Sequence, residues 1–265
     1  MANLFTGHKD EWISIADIDY FGAFVKAYIP FNAWMNISYP ALNTDREKIN
    51  EIKKNTNPFR DKICSLLNAN NQDGAQFRGL LGELHDALEN HYINNQEKRI
   101  SFTNVTIGKN TINISTDSWR GIGFRVQYGN GAGTTNTHSL VKRRDGTAIF
   151  NLTQPNYDID DLKEKPDFAT LSPEYQNHLL NCYKDVEPYI QKNFTTGFNV
   201  ADGNTYYECG NYKFIKENEN LAKGLIEILY NLRCSLFHGE IVPNKEANQV
   251  YGTAYRILYI LIQSL

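Results

Sequence analysis

The chain is poor in the features that mark several large protein classes. Its 265 residues include four cysteines, eight prolines and two methionines. No stretch reaches the ~18 consecutive apolar residues that a membrane helix requires. Cys64, Cys182, Cys209 and Cys234 form no C-x-x-C pair and no tight Cys/His group. That spacing excludes a disulfide framework and the usual zinc sets, and leaves free thiols in a reducing compartment. Residues Met1 to Glu11 lack a basic region followed by an apolar stretch, so no secretory signal is expected and the chain reads as cytoplasmic, with no membrane partner. The Gly129 to Thr135 segment has no Gly-Lys-Ser/Thr ending and no helical pattern after it, which excludes a phosphate-binding loop. Nucleophile-elbow, zincin and kinase signatures are absent. His85 and His91, six residues apart, fall about 240° apart on a helix and cannot share a metal. Neither cofactor nor metal is expected.

What remains is globular: 41% hydrophobic, 12% aromatic and 22% charged residues, enough to form a packed core without staples. The N-terminal part reads as helical. Ile18, Phe21, Val25, Tyr28 and Ile29 recur at three- and four-residue spacing. Pro30 then predicts a kink or break. Thr44-Asp-Arg-Glu47 fits a capping box opening a helix to about Lys54. Further helices are expected over Pro58 to Leu67 and Gly74 to Asn94, the latter with Phe77, Leu80, Leu81, Leu84 and Leu88 as its stripe.

Texture and charge change together after that. Residues 98–150 carry eight Lys and Arg against two Asp, a local +6 in a chain of net charge −3. β-branched and aromatic runs separated by turn residues predict two hairpins. One spans Val105 to Ile114; the other spans Ser139 to Leu152 around Arg144-Asp-Gly-Thr147, with a strand at Phe124 to Tyr128 between them. A basic insert within an acidic frame suits a polyanionic partner, or is simply a solvated sheet face. Helical signals resume at Ser172-Pro173, which open a helix to about Lys192. A loop or short hairpin follows over Thr195 to Tyr212. Two strong helices close the chain, from about Glu217 to His238 and from about Asn244 to Gln263, with Gly239 placed to stop the first. The expected fold is mainly α: a helical bundle with an inserted antiparallel β-rich subdomain, α+β in total. Its parts would be 1–97, helices of the bundle; 98–156, the basic insert; and 157–265, the closing helices.

The chemistry concentrates in Asn231-Leu-Arg233-Cys-Ser235-Leu-Phe-His238-Gly239-Glu240. An uninterrupted helix holds positions 233 and 238 about 140° apart. The two side chains converge only if the helix ends at His238 or if two copies face each other. Arg with His suits metal-free RNA cleavage. The imidazole moves a proton at the 2′-hydroxyl or the departing 5′-oxygen, and the guanidinium stabilises charge on the phosphorane. A bare pair of this kind equally serves structure, Arg pairing with a carboxylate and His binding the last helix carbonyls.

The run Tyr230 to Glu240, followed by a final amphipathic helix, resembles the HEPN superfamily, whose members carry Arg, four to six residues and then His at a helix end. Phe31-Asn-Ala-Trp34 followed by Asp45-Arg-Glu47 is similar to the first helices of large stand-alone prokaryotic members. The resemblance covers residues 15–50 and 217–263 and leaves the insert uncovered. It implies a homodimeric, metal-independent endoribonuclease with a composite site of Arg233 and His238 from both subunits, leaving a 2′,3′-cyclic phosphate. Many relatives are toxins or antiviral defence effectors that cut cellular or viral RNA, and an inhibitor or an activating phage component is expected to control such an activity here. Cys234 stands where active members often carry Asn, Asp or His, so polar support falls to Asn231 or Ser235. Lys142, Arg143 and Arg144 are candidate RNA-binding residues. The alternative is a non-catalytic sensor or scaffold that binds nucleotide, RNA or a phage protein. No helix-turn-helix reader is apparent, which leaves little for a DNA-binding reading.

Overall fold

Asp19 accepts a hydrogen bond from the Gly22 amide and opens α1, Tyr20–Ser38. The structure, a computed structural model, describes residues 19–96, 98–129, 133–196 and 205–265. Ile18 therefore lies outside the described residues. α1 runs unbroken through Pro30, contrary to the kink or break expected there. Pro30 faces solvent, so the carbonyl that loses its partner can bind water. The buried stripe also differs from the expected one. Phe24, Ala27, Tyr28, Phe31 and Met35 pack inward, whereas Ile29 is 61% exposed. Aromatic bulk decides this. Phe31 meets Phe59 at 4.3 Å between centroids, and Phe24 meets Tyr251 at 5.3 Å.

α2, Asp45–Lys54, begins with the expected capping box, Thr44 and Glu47 satisfying each other's backbone amides. α3, Pro58–Asn68, and α4, Gln72–Asn90, follow, each with an Asn N-cap. The expected stripe of α4 is buried in full. A short pairing of β1, Asn94–Asn95, with β2, Lys98–Arg99, leads to β3, Val105–Lys109.

Two compact units divide the chain, residues 1–107 with 191–265 and residues 108–190. In the second, β4 (Ile114–Trp119), β5 (Ile122–Tyr128), β6 (Thr137–Arg143) and β7 (Ala148–Gln154) form an antiparallel meander. β4 pairs with β5, not with β3 as the sequence suggested. The reason is a two-residue turn: Arg120 and Gly121 both hold positive φ, 49° and 83°, which matches the twist of the strands they join. The β6–β7 hairpin forms where expected, with a register shift at Val141/Lys142. α5 (Ile159–Glu164), α6 (Pro166–Ala169) and α7 (Pro173–Asp185) complete this unit. α7 starts at its Ser172 cap but stops at Asp185, before the expected Lys192, because β8, Tyr189–Lys192, follows. One sheet face buries Phe124, Val126, Val141 and Phe150 against Leu179, Cys182 and Tyr183.

These boundaries correct the expected division at 98 and 156. Residues 98–107 pack with the helices, and 157–190 pack with the sheet that needs them as cover. The correction also removes the unit's basic character. Residues 108–190 hold nine Lys and Arg against ten Asp and Glu, a net −1. Of the +6 of residues 98–150, Lys98 and Arg99 belong to the first unit, and the remaining +4 is a local feature of the sheet and its turns.

The first unit is completed by the hairpin of β9, Tyr206–Cys209, with β10, Tyr212–Ile215, then α8, Asn218–Phe237, and α9, Lys245–Ile262. α8 is the central helix, with twelve buried residues. Tyr251 of α9, fully buried, donates to the Leu232 carbonyl at 2.7 Å and ties the two helices. Roughly half of the chain is helical and a fifth is antiparallel strand, a mixed α+β fold. Among the described residues no helix is long and apolar enough to cross a membrane.

His85 is 4% exposed, edge-on to Tyr212, Phe102 and Phe214, and its Nδ1 has no hydrogen-bond partner. Burial pushes its pKa down, against Glu89 and Asp86, which raise it. A depressed folded value means that its contribution is fully present above the unfolded value of about 6.5 and fades as pH falls through the folded one. The melting temperature should therefore drop between pH 7.5 and 5, and less steeply in His85→Phe. Identical slopes for the two proteins would show that another group titrates.

Candidate active site

Arg233 and His238 occupy the C-terminal end of α8, and the local sequence fixes how that helix stops. Gly239 takes φ +67°, so its amide returns to the Leu236 carbonyl at 3.3 Å and that of Glu240 to Ser235 at 2.9 Å. This is the Schellman closure, which a left-handed glycine allows. It leaves His238 as the cap residue (φ −89°, ψ −1°), with its backbone amide on the Cys234 carbonyl. The His238 side chain is exposed and has no hydrogen-bond partner among the described residues. The helix thus ends where the sequence required it to end.

Arg233 is more confined. Its Nη2 lies 3.1 Å from Asp45 Oδ2, in the first turn of α2, and its guanidinium sits 4.6 Å from the Phe237 ring centroid. No hydrogen bond joins Arg233 to His238 within one chain. Asp45 belongs to the N-terminal segment and Arg233 to the C-terminal one, so packing brings together two stretches 188 positions apart.

A buried charge group underlies this pair. Glu227, 3% exposed, pairs with the equally buried Lys53 at 2.6 Å. Arg46 Nη1 donates to both Glu227 oxygens at 2.7 and 2.9 Å, and its guanidinium stacks 4.2 Å from the Tyr230 centroid. Burial pushes the Lys53 ammonium's pKa down, opposed by Glu227. For Arg46 burial also lowers the pKa, but the charge and hydrogen bonds of Glu227 outweigh it and hold the group above its ordinary value. Burial, with a hydrogen bond to Cys234, pushes Tyr230 up to about 12. The Tyr28 hydroxyl is buried without a hydrogen-bond partner, and burial raises its pKa as well. Three cations and two carboxylates share this end of the bundle.

Asn231 and Ser235 stand elsewhere than a catalytic role would need. Ser235 is fully buried, and its hydroxyl donates to the Asn94 carbonyl at 2.6 Å and to Asn231 O at 3.0 Å. Asn231 Oδ1 accepts from Asn95 Nδ2 at 3.0 Å and meets Arg46 Nη2 at 3.5 Å. Both side chains hold β1 against α8. Cys234 is buried beside Tyr230. Lys142, Arg143 and Arg144 are exposed, at the end of β6 and in the turn after it, in the other unit. Among the described residues no three His, Cys, Asp or Glu side chains gather as a ligand set. His85 points into the core, while His91 Nε2 meets Asn244 at 3.2 Å, so the two part as expected.

Arg46, Lys53 and Glu227 were not singled out from sequence as site residues. Glu227 did leave a signal: a carboxylate inside the apolar run Leu225-Ile-Glu-Ile-Leu229 must find a buried cation. Which cations answer it depends on tertiary packing. The chain matches no family model, no curated protein and no solved structure.

Removing one partner of a buried ion pair costs about 3–5 kcal/mol, because the other charge remains desolvated. Glu227→Gln should therefore unfold at markedly lower urea, while Glu227→Met with Lys53→Met should recover most of the loss. A Glu227→Gln protein within about 1 kcal/mol of wild type would mean that water reaches the group.

Proposed function

We propose that the chain is a HEPN-type, metal-independent endoribonuclease that acts as a homodimer in the cytoplasm, as a toxin or antiviral defence effector. The observation that carries this reading is the convergence of the two resembling segments. Asp45-Arg46 packs on the last turns of α8 and pairs with Arg233, and the same helix stops so that His238 stands in solvent.

The substrate's 2′-oxygen attacks the adjacent phosphorus, the bond to the 5′-oxygen breaks, and a 2′,3′-cyclic phosphate remains. Arg233 stabilises the negative charge on the phosphorane oxygens. His238 moves the proton at the attacking or the departing oxygen. Two proton transfers need two groups, and a second copy supplies the second His238. Phe237 and Val242, 56% and 74% exposed on either side of His238, are the apolar surface for that copy. Lys142, Arg143 and Arg144 are, within their own unit, the residues that contact an RNA backbone. An inhibitor or a phage component controls the activity.

A non-catalytic sensor or scaffold is the second reading. The pairing of Arg233 with Asp45 rather than with His238 and the burial of Cys234 favour it.

Purified protein incubated with labelled single-stranded RNA and tRNA in EDTA should leave cyclic-phosphate ends. Arg233→Ala and His238→Ala should each lower the rate at least ~100-fold, the scale of one catalytic group, with unchanged melting temperature. Cleavage at wild-type rates by both variants rejects the site. No cleavage by wild type, alone or with phage lysate, leaves the scaffold.

A further inference from the structure

Arg46 is built as more than a counterion. Glu227 already has a full partner in Lys53, both 4% exposed in their side chains, so one carboxylate is matched by one cation before Arg46 arrives. Arg46 brings a second positive charge to the same carboxylate, and its side chain is 42% exposed. The surplus charge therefore lies on the member of the trio that reaches solvent. Among the described residues, the acids next to Arg46 in the chain do not cancel it. Asp45 pairs with Arg233, and Glu47 accepts from the Asn43 and Thr44 amides and the Thr44 hydroxyl that cap α2.

The guanidinium is also held still. Stacking on Tyr230, two hydrogen bonds to Glu227 and the contact with Asn231 fix its plane, while Nε and the rest of Nη2 have no acceptor among the described residues. A fork fixed in advance loses little side-chain entropy when an anion binds. Arg46 follows Asp45 directly in the chain, and Tyr230 and Asn231 lie within one turn of Arg233, so both arginines belong to the same α2–α8 surface.

The geometry points to Arg46 as a second phosphate-binding arginine, which grips a backbone phosphate next to the one at Arg233 in single-stranded RNA. This rests on the ribonuclease reading above and names how its substrate is held. Arg46 contacts the strand and takes no part in proton transfer.

The test measures binding of a 2′-O-methyl single-stranded oligonucleotide, which lacks the attacking hydroxyl, as a function of salt. Each phosphate contact to a single strand contributes about 0.7 to the slope of log affinity against log salt. Arg46→Gln should make the slope shallower by about 0.7, which is about fivefold weaker binding at 0.1 M salt with convergence near 1 M. Arg46→Lys should keep the slope. If Arg46 only neutralises Glu227, the Gln variant melts earlier and its slope stays at the wild-type value, which overturns the inference. Should Arg46→Gln fail to fold, Arg46→Gln with Glu227→Met and Lys53→Met removes the buried pair as well, and the same shallower slope is required of it. Cleavage is followed separately on the unmethylated strand. Cleavage lost in Arg233→Ala with an unchanged slope in Arg46→Gln rejects Arg46 and keeps the nuclease. Binding without cleavage by wild type, alone or with phage lysate, rejects the nuclease and leaves Arg46 to be judged by its slope. No binding by wild type rejects both.

Discussion

A carboxylate buried in an apolar helix is costly, and much of the arrangement at one end of the bundle follows from that cost. Glu227 lies in the most hydrophobic stretch of α8, where an unpaired charge would be intolerable. Lys53 from the end of α2 and Arg46 from its start both reach it. Two contacts on one helix fix both where α2 sits and how it is rotated about its axis. Once Arg46 and Lys53 are placed, Asp45 faces Arg233. The buried Glu227–Lys53 pair thus sets the surface of the candidate site without belonging to it.

The other end of the arrangement depends on how α8 stops. A left-handed Gly239 lets two backbone amides close on the last turn, and Ser235 and Asn231 clamp β1 against the same turn. Phe237, His238 and Val242 are then left at the surface beside a rigid helix end. Polar side chains near a site often do this work. Their hydrogen bonds position the backbone, and a reactive group one residue away inherits the precision.

The sheet unit is a separate solution to a separate burial problem. A four-stranded meander has two faces, and its inner face needs the cover that α5, α6 and α7 provide. Those helices carry the acidic residues that bring the unit to −1, so the basic strands are balanced within their own unit. Lys142, Arg143 and Arg144 remain exposed. Any hold they have on a polyanion is local to that edge and does not reflect the charge of the unit.

Local rules made a good part of this legible in the amino-acid sequence. The Thr44 box, the Ser172-Pro173 start, the Gly239 stop, the stripe of α4 and the β6–β7 hairpin depend on residues a few positions apart, and each forms as its pattern implies. The Arg233 and His238 pair was legible for the same reason, as a charged and a titratable residue at a helix end. Tertiary structure decided the rest. Whether Pro30 breaks a helix depends on which side faces water. Which residues of α1 are buried depends on Phe59 and Tyr251, far along the chain. The unit that claims residues 157–190 and the choice of Lys53 and Arg46 for Glu227 are long-range, whereas the partner of β4 follows from the local Arg120-Gly121 turn. Composition and periodicity fix which residues must be buried or capped; only packing in three dimensions fixes what they are buried against, because that energy depends on neighbours that the chain brings from tens to more than two hundred residues away.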